Sequence, residues 1–315
     1  MNWKLYEHKV LERFREIYPN SEILYNTSIK GIKSGRSRQI DTLLINRVGR
    51  TEVKTVIDSK CFSKKISITT VESFIGFLSD VGADRGIMVT KVGYSKTAKK
   101  RAENEESDIE LKILTLDELP DFVGFQAIMK FGPIDCFFEV HPKWIVNSKN
   151  PTINTLAKIY PNKYDWNAAV KKREYIYGTI LPHINENHEL PNDFNFEDVI
   201  KHINNALFDK YPNLEKINIS HLVDLDGEPV SMHECIMDKF SEFVAVATYD
   251  EYSVIFGLVT PNKNAEVNLE ALKFIVSQLK TIFTRIPGLP NLSELFFSFN
   301  DYNYVKSNKI EGETE

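Results

Sequence analysis

Between Thr69 and Leu116 the chain alternates two periodicities, and that alternation restricts its fold more than any other feature. TTVESFIGFLSDVGA places Val71, Phe74, Ile75 and Leu78 on one helical face, with Thr69 and Glu72 at the spacing of a capping box. RGIMVT reads as a short buried strand, YSKTAKKRAEN as a basic helix and IELKILTL as a further strand. Strands joined through helices need right-handed crossovers, so the sheet must be at least partly parallel. Ahead of this unit, RQIDTLLIN and TEVKTVIDSKCF read as two strands around RVGR, with Val48 and Gly49 at the hairpin centre. A first helix runs from about Trp3 to Ile17 and stops at the YPN that follows. Its apolar stripe is Trp3, Val10, Leu11 and Phe14, and Glu7 falls inside that stripe. The order α-β-β-α-β-α-β is that of an α/β domain with a mixed sheet.

After Pro120 the pattern changes. FQAIMKFGPIDCFFEV reads as a strand pair about a Gly-Pro turn, and a polar passage follows from His141 to Asn167. FEDVIKHINNALFDKY is an amphipathic helix, FVAVATYDEYSVIFGLV a hairpin around Tyr249 to Glu251, and LEALKFIVSQLKTIF another helix. A chain of 315 residues accommodates two domains. We expect the first over 1–124, a second α/β or α+β domain over 125–306, and a frayed tail over 307–315.

Cys61, Cys136 and Cys235 share no pairing or ligand spacing, which suits a reducing cytoplasm. The first residues carry scattered Lys and Glu and resemble neither a signal peptide nor a spanning helix. The net charge of −5 is uneven. Residues 1–124 hold 21 Lys and Arg against 18 Asp and Glu, whereas 125–315 hold 18 against 26. The first part is therefore the expected phosphate binder.

The chemistry concentrates in TVIDSKCFSKK. Residues two apart on a strand share a face, so Lys54, Val56, Asp58 and Lys60 point one way. With the hairpin centred on Val48 and Gly49, Asp41 falls opposite Val56, diagonal to Asp58 and on the same face. A register slip by one residue would undo this convergence. Two ionised carboxylates held together repel unless a divalent cation or the Lys60 ammonium offsets them. Hard oxygen ligands with room for water suit Mg²⁺. Such a site fits phosphodiester hydrolysis, with Lys60 orienting or deprotonating the water and steadying the developing charge. Glu7 either completes the acidic cluster or holds a water there; as a long side chain at the rim of its stripe, it also has a plain solvent-facing reading.

The acid in QID, the acid-x-Lys of DSK and the helical Glu before them resemble the PD-(D/E)xK nuclease superfamily. VESFIGFLSDVGADRGIMVTKVGYSKTAKKRAE resembles the catalytic domain of Mrr-like restriction endonucleases, where a helix, a Gly-x-x-x-Thr strand and a Ser-x-x-Ala helix follow the lysine. The resemblance covers roughly residues 1–120. The family often has Glu or Gln where this chain has Asp58, and turn residues where it has Gln39 and Ile40. The resemblance implies a Mg²⁺-dependent endonuclease cutting DNA in restriction or defence, with Mn²⁺ able to substitute. Two other readings stand beside it: a silent nucleic-acid-binding or sensor protein that keeps the fold, and a structure-specific repair or junction nuclease.

Arg36, Arg38, Lys64, Lys65, Lys96, Lys99, Lys100 and Arg101 are candidate phosphate contacts. Ser95 suits a helix cap and Thr90 a strand end. His183 with His188, or His233 with Cys235, lacks a complete metal-ligand set and reads as surface or core. Tyr249, Tyr252 and Phe256 are aromatic enough to stack bases, and at strand spacing they read as hairpin packing. Cutting both strands needs two active sites, which on mechanism alone points to a homodimer. The second domain is left to recognise DNA, bind an unknown ligand or protein, or bring two nuclease domains together.

Overall fold

The computed structural model describes residues 3–19, 21–48, 51–104, 109–122, 124–148, 151–152, 155–183, 196–224 and 227–283. The chain divides into two compact units, Met1–Phe125 and Gln126–Glu315. The first contains α1 (Trp3–Ile17), β1 (Glu22–Lys30), β2 (Ser37–Val48), β3 (Thr51–Lys60), α2 (Ile68–Val81), β4 (Arg85–Thr90), α3 (Lys96–Glu103) and β5 (Glu110–Thr115). Its five strands lie in the order β1-β2-β3-β4-β5. The first three pair antiparallel and the last three parallel, so β3 is the seam between the two halves.

Alternation along the strands explains why the sheet is covered on both faces. Val56, Leu43, Ile45 and Met88 pack with Val71, Phe74 and Leu78 of α2 and Ala98 of α3. Leu44, Ile57, Ile87 and Val89 face the other way, onto Tyr6, Val10 and Phe14 of α1. Gly86 admits α2 closely, because a Cβ there would lie 2.2 Å from Leu78 Cδ1.

Several local expectations change. Strand β1 was not anticipated: all its residues are exposed or half-buried, so it lacks the apolar alternation of an inner strand. The buried stripe of α1 begins at Tyr6, and Trp3 is 55% exposed. The N-cap of α2 is Ser67, which accepts a hydrogen bond from the Thr70 N–H, and Thr69 lies inside the helix. Ser95 does cap α3, accepting from the Ala98 N–H at 3.2 Å. The β2–β3 ladder pairs Val48 with Thr51 and Thr42 with Ile57, two residues away from the expected register. Gly49 of the expected turn, His188 and the tail 307–315 lie outside the described residues.

The second unit opens with β6 (Gln126–Phe131) and β7 (Ile134–Glu139), the expected strand pair. The passage read as polar and irregular contains β8 (Trp144–Asn147), β9 (Ala157–Pro161) and the start of α4 (Trp166–Lys172). Then come β10 (Tyr175–Pro182), α5 (Phe196–Lys210), β11 (Asn218–Val223) and β12 (Pro229–Ile236). The expected hairpin is β13 (Phe240–Thr248) with β14 (Tyr252–Pro261), and Tyr249 stacks on Tyr252 beside it. The last expected helix divides into α6 (Ala265–Ser277) and a strand, β15 (Lys280–Phe283). Seven strands form the sheet β11-β12-β13-β14-β10-β9-β8, and three form β15-β7-β6. The unit is mixed α and β with a largely antiparallel framework.

Candidate active site

Asp41 sits where β2 leaves regular pairing. The β2–β3 ladder ends at Thr42 and Ile57, so the next positions along are Asp41 and Asp58. On the other side, Tyr25 pairs with Thr42 and Thr27 with Ile40, flanking Asn26, whose φ is 48°. Asparagine tolerates that left-handed backbone better than most non-glycine residues. Asp41 then uses its side chain where a ladder carbonyl would have served: its Oδ2 accepts the Ser59 N–H at 3.1 Å.

Shifting the register by two residues preserves side-chain parity, so Asp41, Asp58 and Lys60 still share one face. Lys60 Nζ donates to Asp58 Oδ1 at 2.8 Å. Asp58 Oδ2 is buried and has no hydrogen-bond partner. Burial, the largest influence, and the charge of Asp41 together raise the Asp58 pKa in spite of Lys60. Lys60 therefore does not fully compensate the acid it touches. Glu7 reaches the same region from α1, accepting the Tyr25 hydroxyl at 3.2 Å. Its pKa is also raised, first by burial and then by Asp41.

Asp41, Asp58 and Lys60, but not Glu7, line a cleft of about 610 Å³, together with Arg38, Gln39, Phe62, Phe77 and Thr69, Thr70 and Ser73 from the first turns of α2. Gln39 is held in place by donating to Asn26 Oδ1 at 2.7 Å. Arg38 lies over Phe77 at 5.0 Å, with its Nε 3.2 Å from Asp80 Oδ2. Asp80 also accepts from the Ser34 hydroxyl and backbone, which hold its pKa low and fix the loop that carries exposed Arg36. Lys64 and Lys65 line an adjacent hollow that shares Phe62 and Thr70 with the cleft. Lys96, Lys99, Lys100 and Arg101 lie on α3 and do not line either cavity; Arg101 approaches Glu72 at 3.9 Å. Thr90, beside Lys60 in the β3–β4 register, is fully buried, and its hydroxyl has no partner.

A divalent cation fits the donor set. Asp58 Oδ2 is an orphaned, desolvated anionic oxygen, and Asp41 and Asp58 supply hard oxygens from adjacent strands. Among the described residues no three His, Cys, Asp or Glu side chains form a ligand group. Two carboxylates completed by water and substrate phosphate is the coordination Mg²⁺ commonly takes. The histidines are accounted for elsewhere: His183 Nε2 is 2.8 Å from Ser253 Oγ, and His233 Nε2 is 2.9 Å from Ser231 Oγ, both buried in the second unit. Sequence reasoning did not find Gln39, Asn26 or the α2 residues of the cleft, which are polar positions with no distinguishing spacing.

A mixed sheet between helices thus carries an acid pair and a strand lysine at its seam. Residues 1–123 match the Mrr_cat family model, described as restriction endonuclease. No curated protein matches the chain. Among solved structures, AF1548, a protein of unknown function, is 20% identical over 36% of this chain and 58% of its own, with a TM-score of 0.29. The solution structure of cyanobacterial PsbP (CyanoP) from Synechocystis sp. PCC 6803 is 14% identical over 48% of this chain and 87% of its own, at 0.33. The DNA modification-dependent restriction endonuclease AspBHI is 16% identical over 35% of this chain and 33% of its own, at 0.21. With TM-scores this low, these are partial likenesses and nothing more.

Proposed function

We propose that residues 1–123 are a divalent-metal-dependent endodeoxyribonuclease acting in restriction or defence against foreign DNA, with Mg²⁺ as the metal and Mn²⁺ able to substitute. The observation that carries this reading is Asp58: one oxygen held by Lys60 at 2.8 Å, the other buried and unpartnered beside Asp41. Asp41 and Asp58 would hold the metal. When bound, a divalent cation supplies Lewis-acid polarisation of the phosphodiester. Lys60 orients the attacking water and donates toward the phosphoryl oxygens as charge builds on them. Gln39 and the hydroxyls of Thr69, Thr70 and Ser73 line the route by which the backbone enters, and Arg38, Lys64 and Lys65 offset its charge. Glu7 adds negative charge to the cluster and holds Tyr25.

Cleavage of both strands calls for two copies of this site, so a homodimer is part of the proposal. The three free cysteines suit a reducing cytoplasm. Among the described residues no helix is long and apolar enough to cross a membrane. The test is cleavage of duplex DNA with Mg²⁺ by the wild type, Lys60→Ala and Asp58→Ala. Both variants should keep the wild-type circular dichroism and lose cutting; retained cutting by both ends the assignment.

A further inference from the structure

The second unit is acidic overall, with 18 Lys and Arg against 26 Asp and Glu from residue 125 onward. One segment reverses that balance. From Lys158 to Tyr175 the chain carries Lys158, Lys163, Lys171, Lys172 and Arg173 against Asp165 and Glu174. Both acids are engaged by neighbouring groups, and Glu174 also approaches Lys163 at 3.9 Å. Asp165 caps α4 by accepting the Ala168 N–H at 2.7 Å, and Glu174 is buried and accepts from Asn264 at 2.9 Å and Asn268 at 3.1 Å. The cations face outward: Lys163, Lys171, Lys172 and Arg173 are all exposed.

Aromatic rings lie against Lys158, Lys163, Lys172 and Arg173. Lys163 lies 4.8 Å and Lys172 5.5 Å from the Tyr164 ring, Lys158 lies 5.8 Å from Trp166, and Arg173 stacks on Phe240 at 4.0 Å. Trp166 is itself fixed between Tyr160 and Tyr175, with centroids 5.8 and 5.2 Å away. Arg173 has φ 54° at the C-cap of α4, a backbone state unusual for arginine. Favourable placement at a helix C-terminus accounts for Lys171 and Lys172. It does not account for Lys158 and Lys163, which lie on β9 and in the turn before α4. Cations from a strand, a turn and a helix thus lie over the rings of Tyr164, Trp166 and Phe240.

We propose that this surface is a second nucleic-acid contact of the chain, binding the phosphodiester backbone of duplex DNA without reading its sequence. Pre-positioned ammonium and guanidinium groups that outnumber the acids beside them are suited to phosphate neutralisation. The half-buried rings are occupied with cations, which favours backbone contact over stacking of splayed bases. The choice of DNA as the polyanion rests on the nuclease reading; the phosphate-binding chemistry stands on the patch itself.

The experiment uses the full chain carrying Asp58→Asn to silence cutting, with and without Lys163→Gln, Lys171→Gln and Lys172→Gln together. Binding of a fluorescent duplex is followed by anisotropy across a salt series. Loss of three phosphate contacts should weaken affinity about tenfold or more and flatten the slope of log K against log salt by about 2 to 3. Arginine at the same three positions should retain both. Unchanged affinity and slope in the Gln variant overturns the proposal, as does tenfold tighter binding of RNA than of the matched DNA. In the cutting-competent chain the Gln variant should raise KM and leave kcat unchanged. A wild type that binds DNA through these lysines and never cuts it would refute the nuclease reading alone.

Discussion

Asp58→Asn separates the stability of the site from its chemistry. In the metal-free protein, Asp58 has one oxygen on Lys60 and the other buried without a partner, and its pKa is raised, with burial the largest influence. Leaving a buried acceptor unsatisfied costs about 1 to 3 kcal/mol. Asparagine keeps an oxygen for Lys60 and sheds the desolvated charge, leaving a neutral amide NH2 in the unpartnered position. The ion pair it gives up is partly exposed, with Lys60 at 30%, and is worth at most about 1 kcal/mol. The variant should therefore gain roughly 1 kcal/mol in EDTA, about 3 to 5 °C in Tm for a domain of this size. Adding Mn²⁺ or Mg²⁺ inverts the order. At a hundred times Kd, binding stabilises the wild type by about 2.7 kcal/mol, and the variant, short of one carboxylate, should follow weakly. Melting followed by calorimetry with EDTA and with each metal reads both effects. A variant less stable than wild type in EDTA, together with no cation-induced rise in the wild type, would refute the reasoning.

Gly86→Ala should cost about 1 to 3 kcal/mol in a urea melt, because its Cβ would fall 2.2 Å from Leu78 Cδ1 inside a packed core. Thr90→Val should raise stability by up to about 1 kcal/mol, since it removes a buried hydroxyl that has no partner; a loss of that size would show that the hydroxyl is bonded in solution. Burial lowers the pKa of both His183 and His233 from 6.5 to about 4. The unfolded chain binds protons that the folded one refuses, so this stability is full above pH 6.5 and declines as pH falls toward 4. The loss between pH 7 and pH 5 should be about 2 kcal/mol per histidine, and a stability flat over that range would contradict the burial of both.

The sequence was most legible where period and burial agree. RGIMVT is buried at every position, and α2 places Val71, Phe74 and Leu78 inward, so strand and helix were read correctly. The convergence of Asp41, Asp58 and Lys60 survived an error in the expected register because the ladder was displaced by two residues and not one. What escaped were elements whose burial is set by tertiary position. Strand β1 is a polar edge with a left-handed Asn26 in its middle, and β8 and β9 lie in a passage rich in turn residues. Trp3 fits the stripe of α1 by spacing, yet the packed portion of the helix starts at Tyr6. The basic surface around Tyr164 was hidden by the acidity of the unit as a whole and by its dispersal over a strand, a turn and a helix.

The position of β3 at the seam of the sheet also dictates when the site can exist. Asp41, Asp58 and Lys60 lie on a local hairpin that can close as soon as residue 60 is available, whereas the wall of the cleft comes from α2, and Met88 from β4. The hairpin is a short-range closure, while the parallel pairing of β3 with β4 must wait for a whole crossover. A growing chain therefore carries its reactive side chains for some thirty residues of synthesis before it has a pocket to use them in. On the nuclease reading, assembly order alone delays activity until β4 and α2 are in place.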